Sequence, residues 1–208
     1  MGVDTLREAD DGPRSKRAAI LGAAVEHFGE VGFEATKWSE IAKHVGIGQT
    51  ALYHYFESKA HCLLTVMRIG LHNSDEAFRT ATADAPSAHE ALRRAVRSAY
   101  DISDLEVRQN RILQANIALL VSERSSEREE AERLACRELV ATIERNWTEL
   151  LRRGMDSGEF ARRDPQLLAR TLLGTIVAVW RWYRPGGETS LDEICELVTH
   201  CCVRIVTP

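Results

Sequence analysis

No stretch of the 208 residues strings together the roughly 18 to 20 apolar side chains that a bilayer-spanning helix needs. The opening MGVDTLREADDGPRSKR lacks the apolar core of a secretion signal, and residues 1–13 read as a disordered tail. Glycine and proline are scarce, at 13 and 5 residues, and no segment alternates polar and apolar with period two, so a sheet protein is disfavoured. Five cysteines, an odd number without a CxxC pair, indicate neither a disulfide framework nor a structural zinc site and fit a reducing cytoplasm. His54, His61 and His200 show no metal-ligand spacing, and no Gly-rich phosphate loop, nucleophile elbow or HExxH motif occurs. Nothing therefore calls for a metal, a cofactor or a catalytic group, and the expectation is that the chain is not an enzyme. A net charge of −4 argues against a surface coated in nucleic acid. What remains is a Leu-, Ala-, Glu- and Arg-rich chain, 44% hydrophobic, with enough apolar content for a packed helical core.

The most informative segment is residues 36–59, TKWSEIAKHVGIGQTALYHYFESK. Ile41, Ala42 and Val45 form one apolar stripe of a helix for which Thr36 is the cap candidate. Gly46 is placed to end it, since glycine enters the left-handed conformation without a Cβ clash. Ile47 starts a second apolar set with Ala51, Leu52 and Phe56. Gln49, Thr50, Tyr53 and His54 project from the opposite face, a row of hydrogen-bond formers suited to a helix laid in the major groove. Two short helices about a glycine turn, the second with such a face, make a helix-turn-helix.

A wider set of marks surrounds it. Ile20-Leu21, Ala23, Ala24 and Phe28 precede Gly32-Phe33 and Thr36; then come Ile41-Ala42, Gly46-Ile47-Gly48, the block Leu52-Tyr53-His54-Tyr55-Phe56, and Ser58-Lys59. In this order, over residues 14–67, they resemble the DNA-binding domain of the TetR family of transcriptional regulators. The resemblance implies an all-α fold of about nine helices. An N-terminal three-helix helix-turn-helix domain (14–67) would be followed by a helical ligand-binding and dimerisation domain (68–208). Two positions depart from the family pattern: Gly48 stands where a capping serine or threonine is common, and His61 where a glutamate often closes the cap opened by Ser58. Residues 14–68 carry seven basic against five acidic side chains, so the remainder is acidic.

The expected partner is double-stranded operator DNA. Gln49 can bond adenine bidentately, and Thr50 offers a hydroxyl and a methyl group. Tyr53 and His54, one turn later, suit phosphates. Lys37, Trp38 and Ser39 open the preceding helix, whose N–H groups and dipole favour a phosphate, and Lys59 repeats that arrangement on the following helix. In TetR-like proteins the positions matching Lys37, Trp38, Ser39, Gly48, Gln49, Thr50, Tyr53, His54 and Lys59 contact DNA. For Trp38 and Tyr55, packing between helices competes with contact.

Beyond Met67 the pattern predicts helices over Ser58 to about Thr82, Ser87 to about Ser103, Asp104 to Val121, one ending near Arg153, one opened by Asp164-Pro165, and one after Ser190. Asp164–Arg184 and Ser190–Val206 carry Leu172, Ile176, Val179, Ile194, Leu197, Val198 and Ile205, more apolar positions than one face of a monomer would bury, so a homodimer is expected through them. Cys195, Cys201 and Cys202 fall on apolar positions of that last helix and read as small hydrophobes. The string VWRWYRPGG at 179–187 ends the preceding helix. It reads either as an interface cluster with a helix stop or, by resemblance, as the mark of TetR regulators of fatty-acid, phenylacetate and sterol-side-chain breakdown that sense acyl-CoA thioesters. A CoA ligand needs cations for its phosphates and an apolar slot for its acyl chain. Arg93, Arg94, Arg97, Arg108 and Arg111 are candidate cations, and Tyr100, Arg108, Arg111, Trp147 and Trp180 the candidate effector-binding set.

Two classes of function remain: a ligand-controlled repressor that binds DNA as a dimer, and a helical small-molecule-binding or interaction protein whose helix-turn-helix does not bind DNA. The intact set Lys37, Gln49, Tyr53 and Lys59 favours the first.

Overall fold

The structure, a computed structural model, describes residues 13–207 and consists over that span of helices and their connections. They are α1 (Pro13–Val31), α2 (Trp38–Val45), α3 (Gln49–Tyr55), α4 (Lys59–Thr82), α5 (Ala88–Ser98), α6 (Asp104–Asn116), α7 (Glu127–Asp156), α8 (Pro165–Trp182) and α9 (Leu191–Val206), with a 3-10 turn at Ile117–Leu120. Residues 1–12 of the expected tail lie outside the described residues, and Pro13 already begins α1. The all-helical architecture expected from the sequence is the one observed.

Side chains at the caps explain most helix starts. Ser58, Ser87, Ser103, Ser126, Asp164 and Ser190 each accept the backbone N–H three residues on, and Glu106 and Glu193 return the bond to Ser103 and Ser190. Each such cap contributes about 1 kcal/mol. Two helices are shorter than the apolar pattern suggests. The expected Ser87–Ser103 helix stops at Ser98, because Ser103 is extended (ψ 161°) as the N-cap of α6. The expected Asp104–Val121 helix stops at Asn116, whose amide donates to Ile112 O (2.8 Å) as the chain tightens into the 3-10 turn.

Two apolar cores result. The first joins α1 to α3 to the front half of α4 through Ile20, Phe28, Ile41, Leu52, Phe56, Leu63 and Met67, and continues into Ile112, Leu113, Leu120 and Cys136 of the body. The second packs Phe78 from the far half of α4 with α5, α7, α8 and α9. Ile143 of α7 touches both. Leu172, Ile176, Val179, Ile194 and Val198, assigned from the sequence to a dimer seam, are buried in this second core. The correction follows from geometry: the inner faces of α8 and α9 are consumed by their own protomer. Leu167 on α8 and Leu197 on α9, each 65% exposed, together with Trp182, are left without a partner.

Gly154 of α7 lies under the ring of Phe160, where a Cβ would overlap the ring. Gly154→Ala should therefore expel a buried phenyl group and cost about 1–3 kcal/mol. Urea unfolding checks this, as a lower midpoint with an unchanged slope.

Candidate DNA interface and effector cavity

The helix-turn-helix is held by its turn. Gly46 is left-handed (φ 72°), its N–H bonding back to α2, and Ile47 N donates to Ala42 O (3.0 Å). Leu52 and Phe56 are fully buried, which turns Gln49, Thr50, Tyr53 and His54 outward; all four are exposed, as are Lys37, Ser39 and Gly48. Both α2 and α3 start without a side-chain cap, at Lys37 and Gly48. In each first turn the third N–H bonds the cap carbonyl, Glu40 N to Lys37 O (3.0 Å) and Ala51 N to Gly48 O (2.9 Å), and no side chain caps the N–H groups before it, which suit an anion such as a DNA phosphate.

Two readings from the sequence change, and a third is decided. Thr36 does not cap α2; its hydroxyl donates to Gly32 O (2.7 Å) and His27 O (3.2 Å), closing the end of α1 instead. Trp38, for which packing and contact were both open, is a core residue, 8% exposed, with its indole N–H buried and unpartnered. Lys59 is occupied: its ammonium donates to the carbonyls of Phe33 (2.6 Å), Thr36 (2.9 Å) and Glu34 (3.3 Å) and sits 4.4 Å from the centroid of the Phe33 ring. It clamps the α1–α2 turn onto the start of α4. His61 does not close the cap opened by Ser58: its Nδ1 accepts from Glu57 N (3.3 Å), one residue before the Ser58 N–H that a closing glutamate would take.

A polar latch ties this region to the body. Ser58 donates to Glu129 (2.6 Å), which also takes Arg124 (2.9 Å), and Ser126 bonds Glu57. Thr65 (3.0 Å) and Arg68 (2.5 Å) both donate to Glu132. Burial pushes the Glu129 carboxyl up, but the bonds from Ser58 and Arg124 outweigh it and hold it below the usual range. The N-terminal turns of α7 are thus bonded to the loop that leaves the recognition helix α3.

In the body, α4 to α8 enclose a cavity of about 370 Å³. Phe78, Trp147, Ile176, Val177 and Trp180 supply apolar walls, and Ser74, Ser98, Asn110 and Gln114 supply neutral polar groups. Phe78 and Trp147 pack with their rings tilted by 40° and centroids 5.3 Å apart. The cavity's one carboxylate and one guanidinium satisfy each other: Glu144 accepts from Arg170 (2.8 Å) and from Gln166 (3.0 Å). The volume falls in the range of roughly 300–1,000 Å³ usual for small-molecule sites.

Of the effector-binding candidates, Trp147 and Trp180 line this cavity. Tyr100 does not; its ring backs Trp180 at 5.5 Å and its hydroxyl donates to Ile176 O (2.8 Å), deep in the core. Arg108 lays its aliphatic stem against Gly29, joining α6 to α1. Arg111 lines a separate cleft with Arg181 and Arg184. Arg94 is paired with Glu90 and Asp84, and Arg93 and Arg97 are exposed outside both linings. Sequence reasoning missed Glu144 and Arg170, whose only trace is that each shares a helix face with core positions.

Comparison with known proteins defines the class. Residues 85–206 match the family described as "Tetracyclin repressor-like, C-terminal domain", and residues 20–66 match "Bacterial regulatory proteins, tetR family". The chain belongs to the TetR family of transcriptional regulators. The HTH-type transcriptional repressor KstR2 of Rhodococcus jostii (strain RHA1) is 29% identical over 192 residues, 90% of each chain. The structure of the ketosteroid transcriptional regulator KstR2 of Mycobacterium tuberculosis superposes with a TM-score of 0.76 at 24% identity, covering 93% of this chain and 95% of that one. AibR in complex with isovaleryl coenzyme A and operator DNA superposes with a TM-score of 0.72 at 22% identity, covering 93% and 98%. These relatives are regulators and not enzymes, and at such identities the two structures speak for the fold alone. Among the described residues no helix is long and apolar enough to cross a membrane.

The site geometry separates three substitutions. Tyr53→Ala should weaken operator binding and lower the log–log salt slope by about 0.9, with stability unchanged. Gln49→Ala should blur sequence preference while sparing non-specific affinity. Lys59→Ala should instead cost about 2 kcal/mol of folding stability by stranding three carbonyls. Footprinting at two salt concentrations and thermal melts distinguish them.

A pH effect follows from His61. Burial holds its imidazole below the ordinary value of 6.5, against the opposing pull of Glu57 and Glu132. The folded chain then binds fewer protons here than the unfolded one. This contribution to stability is present above about pH 6.5 and lost as the pH falls through the folded value. Urea midpoints at pH 7.5 and 5.5 should show the loss, and His61→Gln, which accepts without titrating, should reduce it.

Proposed function

We propose that two copies of the chain bind a two-fold operator as a repressor and release it when a bulky, largely apolar acyl-CoA thioester enters the C-terminal body. The observation that carries this reading is the cavity of about 370 Å³ walled by two tryptophans and Phe78. It is apolar, its only charges are mutually neutralised, and two of the helices around it, α4 and α7, also hold the helix-turn-helix. A branched or ring-bearing acyl group suits such walls better than a polar metabolite. The similarity to the KstR2 repressors supports the repressor reading, and that to AibR, crystallised with isovaleryl coenzyme A and operator DNA, supports the thioester. So does RWYRPGG at the end of α8. The setting is the cytoplasm, where operator and thioester are both found.

Dimerisation supplies the second recognition helix. Leu167, Trp182 and Leu197 leave an apolar outer face on α8 and α9 that a second copy would cover. The two recognition helices then lie about 34 Å apart, one turn of B-DNA. For the ligand to release DNA, its affinity for the two states must differ, by a coupling of about 1–3 kcal/mol.

Sedimentation should show a dimer at micromolar concentration, and Leu197→Glu should yield monomers with greatly weakened operator binding. In a gel shift with the DNA upstream of the chain's own coding region, decanoyl-CoA or a ring-bearing acyl-CoA should dissociate the complex and raise the melting temperature. Thioesters that neither stabilise the protein nor loosen the complex would overturn the effector assignment.

A further inference from the structure

We propose that His27 and His44 form a surface site for a divalent transition-metal ion of the zinc, nickel or copper class, which staples α1 to α2 of the DNA-binding domain. His27 stands near the end of α1 and His44 near the end of α2, 17 positions apart, so no local spacing shows them as a pair. The fold brings Nε2 of His27 to 3.2 Å from Nδ1 of His44. Two nitrogens that far apart, each at the roughly 2.0–2.1 Å of a zinc–imidazole bond, subtend about 100° at the ion, near the tetrahedral angle. Chelation needs only that each ring turn its lone pair from the other nitrogen toward the ion. The surroundings leave room for that turn: the ring planes lie 73° apart, and the His44 side chain is 47% exposed.

A carboxylate sits where metal sites use one. Glu26 lies 3.5 Å from Nε2 of His44, the nitrogen turned away from His27. It favours the tautomer with the proton on Nε2, which leaves the Nδ1 lone pair facing His27 and makes it more basic. In that tautomer His27 donates the present hydrogen bond. Moving its proton to its own Nδ1 frees both facing lone pairs for an ion. The helix ends that carry the two rings are fixed: Thr36 donates to the carbonyl of His27 (3.2 Å), and the left-handed Gly46 closes α2 just after His44. Among the described residues no group of three or more His, Cys, Asp or Glu is placed to hold an ion, so water supplies the remaining ligands at this half-open surface. Imidazole suits zinc, nickel and copper, whereas magnesium and calcium take oxygen. An ion here cross-links the helix that backs the helix-turn-helix to its first member, and its occupancy resists unfolding of the domain.

Calorimetric titration of the untagged full-length protein with Ni2+ and with Mg2+, alongside electron resonance of bound Cu2+, tests this. Ni2+ should bind the wild type and Mg2+ should not. His27→Gln and His44→Gln should each weaken Ni2+ about a hundredfold, the loss of one point of a two-point attachment. Glu26→Gln should weaken it about tenfold by releasing the tautomer. One equivalent of Cu2+ should show splitting from two imidazole nitrogens in the wild type and from one in either histidine variant. Saturating Ni2+ should raise the melting temperature of the wild type and leave that of both histidine variants unmoved. If Ni2+ binds wild type and histidine variants alike, the ion sits elsewhere and the proposal is overturned. If it binds none of them, the pair is a hydrogen bond only and the proposal falls as well. The wild-type copper spectrum keeps the test decisive should a variant fail to fold: fewer than two nitrogens contradicts the site.

Discussion

Everything else in the molecule depends on α4 belonging to two cores at once. Its front half buries Leu63, Leu64 and Met67 against α1 to α3, and its far half buries Phe78 against the body. A helix of 24 residues is a stiff rod about 36 Å long, so neither end shifts without the other. Burying those four side chains contributes about 6–12 kcal/mol together, at about 1.5–3 each, well above a small-molecule coupling of about 1–3 kcal/mol. The rod therefore tilts as a unit when the body changes shape; it does not detach.

Two sets of polar contacts decide how such a tilt reaches α3. On one side Lys59 ties the α1–α2 turn to the start of α4 through three carbonyls. On the other, Glu129, Glu132 and Ser126 of α7 and its cap hold Ser58, Thr65, Arg68 and Glu57. The same α7 lines the cavity three to five turns later, at Val140, Ile143, Glu144 and Trp147. A ligand that moves α7 by an ångström thus pulls on the loop after the recognition helix along a continuous chain of bonds, and close packing resists absorbing the strain on the way. These contacts are charged or charge-assisted and partly shielded, which makes them directional as well as strong.

Local signals were legible in the residues, and their destinations less so. The turn at Gly46, the buried pair Leu52 and Phe56 and the exposed row from Gln49 to His54 follow from periodicity and from glycine's freedom at positive φ. The helix starts at Ser58, Asp164 and Ser190 follow from cap chemistry. What failed was choosing between two roles open to the same side chain. Thr36 could cap α2 or close α1, and Lys59 could meet a phosphate or three carbonyls; only the approach of α1 to α4 decides. Tyr100 carried the right composition for a ligand site but faces the core, because its hydroxyl finds Ile176 O there. Five of the expected dimer residues, Leu172, Ile176, Val179, Ile194 and Val198, went to the core while Leu197 stayed outside, for a related reason: apolar excess on α8 and α9 is visible in sequence, but which stripe the protomer keeps for itself depends on α5 and α7. The cleft of Arg111, Arg181 and Arg184 unites residues some seventy positions apart, and no local pattern announces it.

The central claim is that filling the body changes the spacing of the recognition helices. Pulsed electron resonance between spin labels at Lys43→Cys, exposed on α2 beside the recognition helix, in the two protomers, with Cys195 and Cys201 changed to serine, measures that spacing directly. With operator DNA bound, the recognition helices should be held near the 34 Å repeat of B-DNA, which fixes the label distance. Adding the thioester to the DNA-free dimer should move the distribution by several ångströms away from that value. A distribution unchanged by saturating ligand, with DNA still released, would contradict the account.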